Sequence, residues 1–222
     1  EFSKKTSQRE IIAKQMGVPY DTRTSMEVLD DLRDSGVEAY PHVGPGQRLT
    51  DNDVIYNLGG ISNITTILPN ESGYYPIIET DEHGFNNSKE LYQINKVDIV
   101  LTGDSFTEGA NVHSDENIGA VLRELGFNAI SVGRGGNGPL LELASLKEYA
   151  EPLKPRIVLW FYNEGDLFDL NRELKSSLLS RYLNEDDYSQ NLISRQEEID
   201  GLFKKLLETV IYNDWGSIIR LP

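Results

Sequence analysis

Ser105 sits in the stretch VDIVLTGDSFTEG, residues 97–109. Val97 to Leu101 is a short apolar run of the kind that forms a strand buried on both faces. Gly103 then permits a sharp turn, which lifts Ser105 to the carboxyl end of that strand. Open α/β sheets carry their sites along that edge, and a serine held there is placed to act as a nucleophile. The same tripeptide has a plainer reading, in which Asp104 and Ser105 only cap the loop and the helix that follows.

Acyl transfer also needs donors aimed at a developing oxyanion. Three loops leave the ends of three successive strand-like runs: GDSFTEG at 103–109, GRGGNGP at 133–139 and NEGDLFDL at 163–170. In a parallel sheet these loops converge on one rim. The backbone N–H groups of Ser105 and Gly136 can then face one reacting oxygen, with Asp104, Asn137 and Asp166 lining the pocket. The glycine-rich loop has its own plainer reading, a βα turn whose helix N-terminus attracts anions. It does not read as a dinucleotide loop, because Pro139 follows Gly138 and no acidic ribose ligand ends a strand about 20 residues on.

The elements that must hold these loops follow from periodicity. Strand-like runs at 97–102, 128–132 and 156–162 alternate with helical patterns at 114–125 and from Pro139 onward. That spacing predicts parallel pairing with right-handed crossovers. Trp160 and Phe161 lie in the third run and read as core. Residues 165–211 read as almost wholly helical, with Asp166, Asp169 and Glu173 on a solvated helix start rather than in a metal site. Upstream, a weakly amphipathic helix carries Ile11, Ile12 and Met16. Thr24 and Glu27 form a capping box opening a helix through Val28, Leu29 and Leu32 that Gly36 closes. Residues 40–96 are rich in Pro, Gly, Asn and Tyr, with β-prone pieces at 64–68 and 74–78.

Composition bounds the function. The chain has 222 residues and a formal charge of −15, which disfavours nucleic acid and anionic membrane surfaces as partners. It has no cysteine, so disulfides and thiolate metal sites are excluded. No apolar run approaches the roughly 18 residues that crossing a bilayer takes. The chain begins Glu-Phe, so its native start is expected to be missing, and with it any targeting segment. The compartment stays open, and an extracytoplasmic place is compatible with such a loss.

Together the loops resemble the SGNH (GDSL-type) hydrolase family. GDSFTEG is similar to the block that carries the nucleophilic serine, here Ser105. AISVGRGGNGP is similar to the second block, whose oxyanion glycine falls on Gly136. VLWFYNEGDL resembles the third block, and TDEHGFNN at 80–87 resembles a segment found before the serine strand in bacterial members. The resemblance implies a three-layer αβα domain with a flavodoxin-like parallel sheet over 96–222, preceded by a helical and irregular β-rich extension over 1–95. It implies a serine-dependent ester hydrolase or O-acyltransferase, acting on an acylated carbohydrate or lipid through an acyl-Ser105 intermediate without metal or cofactor.

Two departures stand out. The third block reads Asn163-Glu164-Gly165-Asp166, so the family's oxyanion asparagine is replaced by Asp166 or displaced to Asn163. The family's Asp-x-x-His block near the C-terminus has no counterpart: the histidines are His42, His83 and His113. His113 reads as a surface residue at a helix entry and His42 as loop; His83 is the one that approaches the pocket rim. The domain is therefore expected to lack its last strand and helix. Such a chain is expected to turn over esters weakly or not at all, and to cover an open sheet edge with its own segments or with a second copy. The competing class is a non-catalytic binding or scaffold protein of the same fold.

Overall fold

The structure is a computed structural model that describes residues 2–46, 49, 55–93 and 96–213, with side chains described over 8–207 of these. It is a mixed α/β chain. Helix α1 (Phe2–Met16) and helix α2 (Ser25–Asp34) come first. The capping box at α2 forms: Thr24 Oγ1 accepts the Glu27 N–H while Glu27 accepts the Thr24 N–H. Val28 and Leu29 on the inner face of α2 pack against Ala39 and Ile67 of a small sheet. In that sheet β1 (Ala39–Pro41) pairs parallel to β2 (Thr65–Ile67), which pairs antiparallel to β3 (Ile77–Glu79). The β-prone piece read at 64–68 contains β2, and the piece at 74–78 overlaps β3, which runs one residue further.

The main sheet holds β4 (Ile99–Thr102), β5 (Ala129–Ser131) and β6 (Ile157–Trp160) in the order β5-β4-β6, all parallel. Its two faces separate by the period-two rule. Ile99, Leu101 and Ala129 face Ile118 and Leu122 of α4 (Ile118–Glu124). Val100, Ile130 and Val132 face Leu140, Leu141 and Ala144 of α5 (Pro139–Ser145). Helices on opposite faces of one parallel sheet make the chain compatible with a three-layer α/β fold. The short helix α3 (Ser105–Glu108) follows β4 directly. Beyond β6 come α6 (Asp166–Glu173), α7 (Ser177–Asn184) and α8 (Gln196–Asn213). Among the described residues, no helix is long and apolar enough to cross a membrane.

Ile55, Leu58, Ile61, Ile64 and Phe85 belong to the same buried cluster as Val100 and Ile130, so the segment before position 95 packs into the core of the main sheet. One expectation changes. β6 is not a buried strand: Ile157, Val158 and Trp160 are each about half exposed, at 48%, 45% and 47%. It pairs only with β4 among the described residues, so it lacks the second neighbour that would close it.

Candidate active site

β4 delivers Ser105 to the carboxyl edge of the central strand. Gly103 makes the turn possible, since a Cβ there would stand 2.2 Å from Thr107 Oγ1. Asp104 caps α3, its Oδ1 accepting the Phe106 N–H at 3.0 Å. The capping reading of Asp104 and the placement of Ser105 at the end of the strand therefore hold together. Ser105 is half-buried, at the first position of the helix, where its N–H has no intrahelical acceptor.

The second loop lies directly against the first. A Cβ on Gly135 would come 3.5 Å from Ser105 Cβ, so the glycine packed on the serine is Gly135, the neighbour of Gly136. Gly136 is exposed with φ 94°. Among the described residues, no hydrogen bond is made by the Ser105 N–H, the Gly136 N–H or the Ser105 hydroxyl. Asn137 is buried beneath them, its Nδ2 donating to Gly103 O at 3.4 Å and its Oδ1 unpartnered.

The third loop touches the first through Asn163. Asn163 Nδ2 donates to Asp104 Oδ2 at 2.7 Å and to Asp166 Oδ1 at 2.8 Å, and Asp166 Oδ2 accepts the Asn163 N–H at 2.7 Å. Both hydrogens of this amide are thus taken, and Asn163 has none left to offer an oxyanion. Asp166 is buried as the acceptor of this turn.

Of the acidic residues after β6 expected on a solvated helix start, Asp169 stays part-exposed beside Arg172, but Asp166 and Glu173 turn inward. Glu173 is buried and accepts the N–H groups of Gly138 at 2.7 Å and Leu140 at 2.9 Å. It fills the anion-attracting N-terminus of α5 with the protein's own carboxylate. Glu142 is buried too, its Oε2 accepting the Trp160 indole N–H at 2.5 Å and its Oε1 unpartnered. Burial first, and then the nearby Asp166, Glu173 and Asp104, push its carboxyl up to about 7. No group of His, Asp and Glu able to hold a metal ion occurs among the described residues.

None of the three histidines bonds to Ser105. His83 packs edge-on against Tyr92 at 4.6 Å and beside Tyr149 at 5.3 Å, with Nδ1 buried and unpartnered. That places it in the aromatic core rather than at the rim, and burial holds its ring below the usual imidazole range. His113 stacks on Tyr74 at 4.7 Å. His42, read as loop, is the one tied to the serine's helix: its Nε2 lies 2.8 Å from Glu108 Oε1.

Glu108 and Arg134 are the residues that sequence reasoning passed over. Arg134 is 2% exposed and donates to Gly84 O at 2.7 Å and to Val43 O. Its Nε stands 3.5 Å from Glu108 Oε1. Burial raises the Glu108 carboxyl, but His42, Arg134 and the Gly135 N–H outweigh it and bring it down to about 2. The available signal was position: Glu108 falls three residues after Ser105, on the same helical turn.

Compared with protein-family models, curated proteins and solved structures, the chain matches none of them. The functional reading rests on the site's own geometry.

Proposed function

We propose that the chain carries an acyl-transfer site of SGNH type on a flavodoxin-like sheet, with Ser105 as nucleophile and an O-acylated carbohydrate or lipid as substrate class. One observation carries this reading: a half-buried serine at the carboxyl end of the central strand, with Gly135 of the glycine-rich turn packed on it and, among the described residues, no hydrogen bond on its own N–H or on that of Gly136 in the same turn. In the reaction, Ser105 Oγ bonds to the ester carbonyl carbon and its proton passes to a base. The N–H groups of Ser105 and Gly136 receive the charge on the carbonyl oxygen. The carbon–oxygen bond to the leaving alcohol then breaks, and the alcohol oxygen takes up a proton. Water or a second alcohol repeats the sequence on the acyl-serine.

The base is the step that the described residues leave unsupplied. A positioned base contributes about 10²- to 10⁴-fold, so simple aryl esters are expected to turn over very slowly. Added imidazole can stand in for it. The expected result is p-nitrophenyl acetate hydrolysis that rises with imidazole above the buffer reaction and is lost in Ser105→Ala. Equal rates for the two proteins at every imidazole concentration would remove the nucleophile assignment.

The second reading is a binding or scaffold module of the same fold. It is favoured by the Asn163 amide, whose hydrogens go to Asp104 and Asp166 rather than to the site. The imidazole experiment separates the two, because a binding module shows no Ser105-dependent acylation.

A further inference from the structure

We infer that Glu108, gripped by His42 and Arg134, is a positioning residue that holds the Gly135–Gly136 turn so that the Gly136 N–H faces the space in front of Ser105. The inference rests on the acyl-transfer reading of Ser105 and deepens it. Glu108 closes the one-turn helix that Ser105 opens. Its Oε2 accepts the Gly135 N–H at 2.7 Å, and its Oε1 meets His42 Nε2 at 2.8 Å. The short contact to a carboxylate requires that Nε2 carry the proton. Arg134 Nη2, 3.1 Å from the same nitrogen, directs its hydrogen to Val43 O instead.

The consequence falls on Gly136. The residue before it is fixed by Glu108, and the residue after it is fixed by the Asn137 N–H to Arg134 O at 3.0 Å and by Asn137 Nδ2 to Gly103 O. Between two pinned neighbours, at φ 94°, the Gly136 peptide has one direction for its N–H. Glu108 thus accepts one donor of the turn and leaves the next one free. Oxyanion donors act by being fixed before charge develops, and the buried Glu108–Arg134 pair supplies that fixation from inside the protein. His42 stands just after β1 and Arg134 holds Val43 O and Gly84 O, so the N-terminal segment takes part in setting the site.

The experiment has two arms on the 222-residue chain. In the first, Ser105 is labelled with a fluorophosphonate in the presence of imidazole, and the inactivation rate constant is separated from the reagent's binding constant. Glu108→Ala is expected to lower the rate constant about ten- to a hundredfold with the binding constant unchanged. Glu108→Gln, which keeps a carbonyl oxygen for the Gly135 N–H, is expected to restore most of it. Equal rate constants for wild type and Glu108→Ala, or losses in Glu108→Gln as large as in Glu108→Ala, would overturn the inference. In the second arm, amide exchange is read in the wild type by NMR. The Gly135 amide is expected to be protected, and the Gly136 amide to exchange freely until the serine is phosphonylated. A protected Gly136 amide in the free protein, or an unprotected Gly135, would overturn the inference even if both variants fail to fold. An unreactive Ser105 in the wild type would instead remove the acyl-transfer reading, leaving the exchange pattern to judge the turn alone.

Discussion

Glu142 is a buried carboxyl with an optical reporter attached, since its Oε2 holds the Trp160 indole N–H. Its folded-state value of about 7 lies above the ordinary 4.5. The folded protein therefore binds a proton that the unfolded chain releases between those values, and this group's contribution to stability falls as pH rises from about 4.5 to about 7. The loss is at most about 3.5 kcal/mol, one pKa unit being worth about 1.4 kcal/mol. Trp160 fluorescence is expected to titrate with a midpoint near 7, and Glu142→Gln to flatten it; a flat wild-type profile would show a carboxylate that stays charged throughout. Glu108 works in the opposite sense. Its value is depressed to about 2, so its stabilisation is fully present above about 4.5 and lost as pH falls towards 2. Acid unfolding of wild type should be steeper in that window than that of Glu108→Gln. A third residue, Gly103, admits no side chain. Gly103→Ala drives a methyl into Thr107 Oγ1 at 2.2 Å, and urea melts should show a loss of more than about 2 kcal/mol. A loss under 0.5 kcal/mol would mean that Thr107 rotates away at little cost.

At the scale of elements, the start of α5 depends on a side chain from another helix. Gly138 offers no capping side chain, and Glu173 of α6 takes the Gly138, Leu140 and Leu141 N–H groups instead. Glu173→Ala leaves these donors buried without an acceptor. A cost of about 1–3 kcal/mol is expected in chemical denaturation, and an unchanged midpoint would show that water replaces the carboxylate. The same contact explains why the glycine-rich loop, which resembles an anion-binding turn in sequence, holds no room for a ligand's charge at its helix. Spacing had put Asp166 and Glu173 on one helix face but could not tell that this face turns inward.

For the whole molecule, the open question is the edge of β6. Ile157, Val158 and Trp160 are each about half exposed beside unpaired backbone groups, a surface of the kind that recruits another strand. A second copy of the chain is the cover expected from the sequence. Sedimentation should then show concentration-dependent association, and Val158→Lys should shift it to monomer. A wild-type monomer with β6 amides protected from exchange would show that the edge is covered within the chain.

Local rules carried much of this architecture. The capping box at Thr24, the glycine stop at Gly36, the apolar run of β4 and the proline at the first position of α5 each act over a few residues, so they are legible in order along the chain. The strand–helix alternation then fixes parallel pairing, because right-handed crossovers leave few alternatives. The position of Ser105 at the end of β4 was legible for the same reason: it is set by the strand before it and the glycine beside it. What sequence did not reach are contacts between distant residues. His42 meets Glu108 across 66 positions, and Arg134 meets Gly84 across 50. No local pattern marks such pairs, since a buried polar contact is defined by what surrounds it and not by spacing. The burial of Glu173 and the exposure of β6 are likewise decided by which elements pack together, and only the tertiary structure supplies that.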